Sequence, residues 1–128
     1  MQFINSYKKL EKICNEKYNT KHGVSIYIEE MARHKDGSKY VSTWNQDLKQ
    51  LKHYRWLRNK IVHDVDADED SLCKKSDETW INNFTKRIAN NNDPLSLYKQ
   101  NKKKSINKLL IIVLLLIILL FIYFATLK

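Results

Sequence analysis

The sequence predicts an all-α protein, a small antiparallel helical bundle followed by one C-terminal transmembrane helix. Three observations support this prediction. The 128 residues include only two glycines and one proline, which leaves few turns for a many-stranded β fold. Apolar residues recur at helical spacing through most of the first 100 residues. Residues 109–125 form an unbroken run of 17 apolar residues, without the polar stripe of a soluble helix.

Two helices are predicted in the first third of the chain. The first covers about residues 2–18, where apolar side chains repeat every three or four positions with charges between them. Gly23 follows as a break. A second, shorter helix is predicted from Val24 to about His34, although the V-S-I-Y-I run at its start also fits a strand. Residues 36–38 are predicted as a turn.

The middle of the chain is predicted as one long helix followed by an acidic loop. The third helix runs from about Val41 to His63, with apolar positions at helical spacing. Residues 64–70 contain five acids in seven positions, so a loop is expected there. The D-x-D-x-D start resembles a calcium loop, but Glu69 occupies the position of the required glycine and Lys75 that of the bidentate glutamate.

The last two helices are predicted from their capping residues. Ser76 or Asp77 is expected to cap a fourth helix that ends at the asparagine run 90–92. Asp93 and Pro94 are typical of the N-cap and first position of a fifth helix. That helix either continues into the membrane segment or is interrupted by a short polar hinge at 100–104.

The tail predicts a single-pass, tail-anchored membrane protein. As a helix, residues 109–127 would measure about 28 Å, close to the hydrocarbon thickness of a bilayer. By the positive-inside rule, the lysines before this span predict a cytoplasmic N-terminal domain. We therefore divide the chain into a domain (1–100), a basic juxtamembrane segment (101–108) and a transmembrane helix (109–127). The predicted membrane-interface residues are Lys102, Lys103, Lys104 and Lys108.

Charge and cysteine content exclude several classes of protein. The net charge is +9, but only +4 belongs to residues 1–100, which argues against a uniformly basic nucleic-acid coat. About 100 soluble residues make one small domain, not a multidomain enzyme. Cys14 and Cys73 belong to no metal-ligand spacing, so no metal and no cofactor is expected.

The third helix holds the residues with a pattern typical of phosphate chemistry. Residues 48–63 contain no acid, and four of their bases are candidate RNA-binding residues: Lys49, Lys52, Arg55 and Lys60. Asn59 and His63 share a helix face, with Arg58 beside them. Arginine offers a permanently charged fork for phosphate oxygens, and histidine titrates near neutral pH. Arg58, Asn59 and His63 are therefore the candidate catalytic residues.

This R-N-x-x-x-H segment resembles the signature of the HEPN superfamily, the "higher eukaryotes and prokaryotes nucleotide-binding" helical domains. The resemblance covers six residues and their helical context. It implies metal-independent RNA cleavage, with His63 as general acid or base, Arg58 neutralising charge on the phosphate and Asn59 holding the geometry. It also implies a homodimer that brings two such sets together, and a toxin or defence role.

Two other interpretations of these residues stay open. The first is a noncatalytic, membrane-tethered adaptor that binds RNA or a protein partner. The second is a structural role, in which Arg58 pairs with Asp64 or Glu69 and His63 caps the helix end. Among the tryptophans, Trp56 lies off the apolar stripe and is the best candidate for an exposed ring. The remaining histidines are expected to face solvent: His22, His34 and His53.

Overall fold

The computed structural model describes residues 2–128 and shows seven helices and no strand among them, so the all-α prediction is confirmed. Two of the helices are single turns that the sequence did not predict. In chain order the helices are α1 (Phe3–Tyr18), α2 (Gly23–Arg33), α3 (Gly37–Tyr40), α4 (Trp44–His63), α5 (Glu69–Leu72), α6 (Lys75–Ala89) and α7 (Pro94–Thr126).

Helix α1 lies at the centre of the bundle, because it packs against both α2 and α6. Phe3 and Leu10 of α1 are fully buried, as the helical spacing predicted. Segment 24–28 is helical, so the strand alternative is wrong. The largest side chains with almost no solvent exposure form the core between α1, α2, α4 and α6: Phe3, Leu10, Tyr27, Met31, Leu51, Ile81 and Phe84.

The start of α2 is pressed against α1. Gly23 is the first residue of α2, and a Cβ at this position would overlap the backbone of Cys14 and Asn15. Only glycine permits this approach. The Gly23 N–H donates a hydrogen bond to Asn15 Oδ1 at 2.7 Å, which satisfies one free donor of the α2 N-terminus.

Two single-turn helices replace predicted turn and loop segments. Helix α3 overlaps the predicted turn, and Val41 is its extended C-cap, so α4 begins at Trp44 and not at Val41. Gly37 packs directly against the Trp44 ring. Helix α5 forms inside the acidic segment, where Asp68 caps it by accepting the Ser71 N–H at 3.2 Å. Glu69 Oε1 accepts the Ile4 N–H at 3.1 Å, so this acid caps α1.

Helix α6 begins just before the predicted cap. Its N-cap is Lys74, whose N–H donates to Asp77 Oδ2 at 2.7 Å. The other oxygen of Asp77 accepts the Tyr54 hydroxyl at 3.0 Å, which ties the start of α6 to α4.

Helix α7 begins as predicted, with Asp93 as N-cap and Pro94 in its first turn. Asp93 is fully buried, and its Oδ2 accepts the Tyr27 hydroxyl at 2.5 Å. The helix then continues without the alternative hinge. It is the one helix among residues 2–128 that is long and apolar enough to cross a membrane, and its residues from 103 onward are exposed.

Candidate functional site

A cleft of about 310 Å³ lies between α1, the start of α2 and the second half of α4. Three basic side chains and one acidic side chain line it, together with a histidine and three neutral polar groups. Its lining consists of Tyr7, Glu11, Lys21, His22, Ser25, Arg55, Arg58 and Asn59. The cleft therefore has a net positive charge and donors suited to an anion.

The turn between α1 and α2 brings Lys21 and His22 to this cleft. Because the backbone of Gly23 touches α1, the two residues before it are held over the face of α4 that carries the arginines. The His22 N–H donates to Thr20 Oγ1 at 3.3 Å, within the same turn. The His22 side chain itself is exposed at the mouth of the cleft.

Arg55 and Arg58 lie three residues apart on α4 and point to the same side. Both are half-buried. Arg58 Nη1 donates to Asn59 Oδ1 at 3.0 Å, a neutral amide. Within residues 2–128 the Arg58 guanidinium has no carboxylate partner within 4.0 Å. Its charge is therefore available to a ligand.

Asp64 and Glu69, the acids that could pair with Arg58, form other contacts. Asp64 Oδ1 accepts the N–H of Asp66 at 3.1 Å, and Glu69 caps α1 through Ile4. The structure therefore does not contain an ion pair between Arg58 and either of these two acids.

Glu11 and Tyr7 form the α1 wall of the cleft. Burial raises the pKa of Glu11, and the N–H of Val24, the charges of Arg58 and His22 and the N–H of Gly23 partly oppose that rise. Burial also raises the pKa of Tyr7, followed in importance by the Glu11 charge. The cleft thus places a carboxyl group with a raised pKa beside an imidazole and two guanidinium groups.

The structure separates the three residues of the R-N-x-x-x-H motif. Arg58 and Asn59 line the cleft, whereas His63 is the last residue of α4 and lies outside its lining. His63 is exposed, and among residues 2–128 its imidazole makes no hydrogen bond, so the helix-capping interpretation is not observed. The histidine that does line the cleft is His22. Its distance from Arg58 along the chain hid this proximity from sequence analysis.

The candidate RNA-binding residues are distributed over two faces of α4. Arg55 lines the cleft, and Lys49 is exposed. Lys52 lines a second depression of about 210 Å³, between the end of α2 and the first half of α4, which also contains Lys35. Lys60 lies on another face, with its Nζ 5.2 Å from the centre of the Trp56 ring.

The two depressions lie along the same pair of helices. The start of α2 faces the end of α4 in the cleft, and the end of α2 faces the start of α4 in the second depression, so the two helices run antiparallel. Arg55 of the cleft and Lys52 of the second depression lie one turn apart on α4. The two depressions together place basic side chains along several turns of α4, and we call the pair the α2–α4 groove.

Two expectations about exposed rings have different outcomes. Trp56 is 55% exposed and stacks with His53 at 5.9 Å between ring centres, as expected of a ring outside the core. His34, which was expected to face solvent, is half-buried and packs 4.5 Å from the Tyr98 ring of α7.

The cysteines and acids offer little other chemistry. Cys14 and Cys73 are buried free thiols, and burial raises their pKa values to about 12 and about 11. They are therefore protonated and weakly nucleophilic at neutral pH. Among residues 2–128 no three histidine, cysteine or acidic side chains are grouped to hold a metal ion.

Residues 1–109 match DUF6548, a family of unknown function. The chain belongs to this family. The match covers the whole helical domain and ends at the first residue of the apolar run. No curated protein and no solved structure matches the chain. The description of the DUF6548 family names no activity.

Proposed function

We propose that this DUF6548 protein is a membrane-anchored domain that binds RNA in the α2–α4 groove and cleaves it without a metal. The observation that carries this proposal is that the Arg58 guanidinium lies in a basic cleft and has, within residues 2–128, only the neutral amide of Asn59 as its hydrogen-bond partner. Arg55 one turn earlier and Lys21 from the facing turn add charge around the same space. A phosphodiester would neutralise one of these positive charges, and adjacent phosphates of the same strand could neutralise others.

The proposed reaction is an attack by the RNA 2′-hydroxyl on its neighbouring phosphorus. A bond forms between the 2′-oxygen and phosphorus as the bond to the 5′-oxygen breaks, giving a 2′,3′-cyclic phosphate and a 5′-hydroxyl. One group takes the 2′-hydroxyl proton and another donates a proton to the 5′-oxygen. Arg58 stabilises the charge on the phosphoryl oxygens, and Asn59 orients the guanidinium through their hydrogen bond.

Two histidines, His63 and His22, are the candidate proton-transfer groups. The resemblance to HEPN domains assigns proton transfer to His63, which is exposed and free to meet a strand or a second copy of the chain. His22 supports a second imidazole within one chain, because it lines the same cleft as Arg58. In a homodimer, the second histidine would be His63 of the other copy.

The test uses the full chain in lipid nanodiscs with end-labelled RNA in excess EDTA. The wild type should yield fragments with 2′,3′-cyclic phosphate ends, and Arg58→Ala and His63→Ala should each be slower by about 100-fold, the effect of removing one electrostatic or acid–base group. Lys86→Ala, an exposed base on α6, is the matched control and should cleave like the wild type. Equal cleavage by all four proteins would identify a contaminant and refute the proposal.

His22→Ala separates the single-chain site from the dimer. A loss as large as that of His63→Ala places both histidines at one reaction centre. Unchanged cleavage by His22→Ala favours the two-fold dimer. In that case, placing the impaired Arg58→Ala and His63→Ala proteins in the same nanodiscs should restore part of the activity.

A noncatalytic adaptor is the second candidate, favoured by the exposed ring of Trp56. This ring stacks on His53 and lies under Lys60, on a face separate from the cleft. Exposed tryptophan beside a cation is common at protein interfaces. RNA that binds the wild type but not Arg58→Ala, with no cleavage by either protein, would favour a noncatalytic RNA-binding adaptor.

The proposed location is a membrane, with one span and the helical domain in the cytoplasm. Support comes from the apolar, exposed part of α7 and from the lysines that precede it. Protease added outside intact cells should spare the domain, and protease added to inverted vesicles should digest it. The reverse pattern would contradict the orientation.

A further inference from the structure

A second groove lies where α3 meets α7, at the level where charged residues give way to apolar ones. It has a volume of about 350 Å³. Lys39 and Tyr40 of α3 form one side, and Ser105 and Lys108 of α7 form the other. Its lower end is lined by apolar side chains of α7, down to Ile112. A polar end and an apolar end therefore meet in one groove.

Polar contacts fix α3 to α7 just above this groove. Asn101 Nδ2 donates to the Tyr40 carbonyl oxygen at 2.7 Å. The Tyr98 hydroxyl donates to Asp36 Oδ1 at 2.8 Å, and Lys102 Nζ donates to that hydroxyl at 2.8 Å. Because α7 passes through this level as one unbroken helix, α3 is held at a fixed height relative to the apolar span.

The lysines at this junction differ in their partners. Lys102 forms an ion pair with Asp36 at 3.4 Å, which also helps to lower the pKa of Asp36 after the larger effect of the Tyr98 hydrogen bond. Among residues 2–128, neither Lys39 nor Lys108 has an acidic partner within 4.0 Å. Lys39 Nζ lies 5.5 Å from the centre of the Tyr40 ring. Within the part of the chain that the structure describes, the groove thus has two positive charges without a carboxylate partner, on opposite sides.

The position of Lys108 sets the level of the groove in a bilayer. It is the last charge before the apolar run, and Ile112 lies one helical turn, about 6 Å, further along. Lys108 therefore lies at the headgroup level and Ile112 in the hydrocarbon when α7 spans the membrane. Lys39 reaches this level only because the fold brings α3 there.

We propose that this groove binds one anionic glycerophospholipid of the surrounding leaflet. Its phosphate lies between Lys39 and Lys108, with Ser105 as a hydrogen-bond donor, and an acyl chain follows the apolar side of α7 past Ile112. The site rests on the membrane anchoring proposed above and is independent of RNA cleavage. Its occupant would fix the face of the domain that turns toward the bilayer, leaving the α2–α4 groove on separate helices.

The experiment measures lipid retained by the full chain. Protein is incorporated into nanodiscs that contain equal amounts of phosphatidylcholine and phosphatidylglycerol, released in mild detergent, and weighed by native mass spectrometry. The wild type should retain one phosphatidylglycerol in preference to phosphatidylcholine. Lys39→Ala and Lys108→Ala should each retain about fivefold less, the factor that corresponds to about 1 kcal/mol per basic residue near a membrane surface.

Lys99→Ala is the matched control. It removes the same charge from an exposed position of α7 that neither lines the groove nor belongs to the predicted membrane-interface lysines, and it should retain lipid like the wild type. Equal losses in Lys39→Ala and Lys99→Ala would show a general charge effect and overturn the site. Wild-type retention in Lys39→Ala would also overturn it. A chain that fails to enter nanodiscs of either lipid alone would overturn the anchoring, and the site with it.

Discussion

Arg87 and Arg58 show two different uses of the same side chain. Arg87 of α6 donates two hydrogen bonds to Asp47 of α4, at 3.1 and 2.8 Å, and joins the two helices. Asp47 is buried and also accepts the Thr43 hydroxyl at 2.8 Å. Arg58, on the same helix as Asp47, faces a cleft and has only Asn59 as a partner. The first guanidinium is neutralised within the fold, and the second is not.

This difference separates a residue that stabilises the domain from one that is available to a ligand. A charge that is half-buried without a counter-ion costs stability, because it is partly removed from water. Arg55 lies beside Arg58 and adds repulsion. Two half-buried arginines without carboxylate partners among residues 2–128 favour the binding of an anionic ligand. A phosphate fits the fork of a guanidinium.

The largest effect on stability should come from breaking the Asp47 and Arg87 contact. Arg87→Ala leaves the Asp47 carboxylate buried with only the Thr43 hydroxyl, so the free energy of unfolding should fall by about 2 to 3 kcal/mol. Urea titration of the full chain in detergent, followed by tryptophan fluorescence, measures this change.

Arg33→Ala is the matched control for that measurement. Arg33 pairs with Glu30 three residues earlier on the same helix, and its side chain is 69% exposed. A surface pair of this kind contributes less than about 0.5 kcal/mol. Equal losses in the two variants would contradict the structural role assigned to Arg87.

A helix could be predicted from the sequence where it is long enough for apolar residues to repeat every three or four positions. This apolar spacing predicted α1, α4 and α6, and Asp93 with Pro94 predicted the start of α7. Helices α3 and α5 were missed because single turns are too short to show a period. They depend on tertiary contacts, such as that of Gly37 with Trp44 and of Glu69 with Ile4.

The cleft was predictable only where its residues share one helix. Arg58 and Asn59 are neighbours on α4 and Arg55 lies one turn away, so the sequence alone predicts that these three residues are close together. Glu11 and His22 come from α1 and the following turn. No local pattern links these positions to α4, so their proximity depends on the packing of α2 at Gly23. The proximity of Lys39 to Lys108 also depends on helix packing, here that of α3 against α7, and no local sequence pattern predicts it.

A smaller effect, on binding and not on stability, is expected from Arg58→Ala. The variant should unfold within about 0.5 kcal/mol of the wild type, because Arg58 has no ion pair within the domain. Its affinity for a single-stranded 2′-O-methyl RNA, which resists cleavage, should fall about tenfold at low salt. The slope of log affinity against log salt should become shallower by about 0.7, the value for one lost phosphate contact.

Fluorescence anisotropy of labelled RNA over a salt series measures both quantities for Arg58→Ala. Arg33→Ala again serves as the control, since it removes one arginine outside the α2–α4 groove. A slope that is unchanged in Arg58→Ala, or reduced equally in Arg33→Ala, would mean that the cleft does not hold a phosphate.

The smallest effect should come from Glu11, the one acid in the cleft. Burial raises the pKa of Glu11, so the folded chain keeps its proton to a higher pH than the unfolded chain. The folded state therefore binds more protons in this window, and the free energy of unfolding falls as the pH rises through the raised pKa. At neutral pH the carboxylate should cost less than about 1 kcal/mol, because the side chain is half-exposed.

Glu11→Gln removes that charge and keeps an oxygen that can accept from the backbone at the start of α2. It should be slightly more stable than the wild type at pH 7, and the difference should vanish below about pH 3, where the carboxyl is protonated in both states. Glu16→Gln, on the exposed side of α1, is the matched control and should be as stable as the wild type at pH 7. If Glu11→Gln is instead less stable at pH 7, the carboxylate is acting as the counter-ion of Arg58, and the contrast between Arg58 and Arg87 is smaller than their hydrogen bonds indicate.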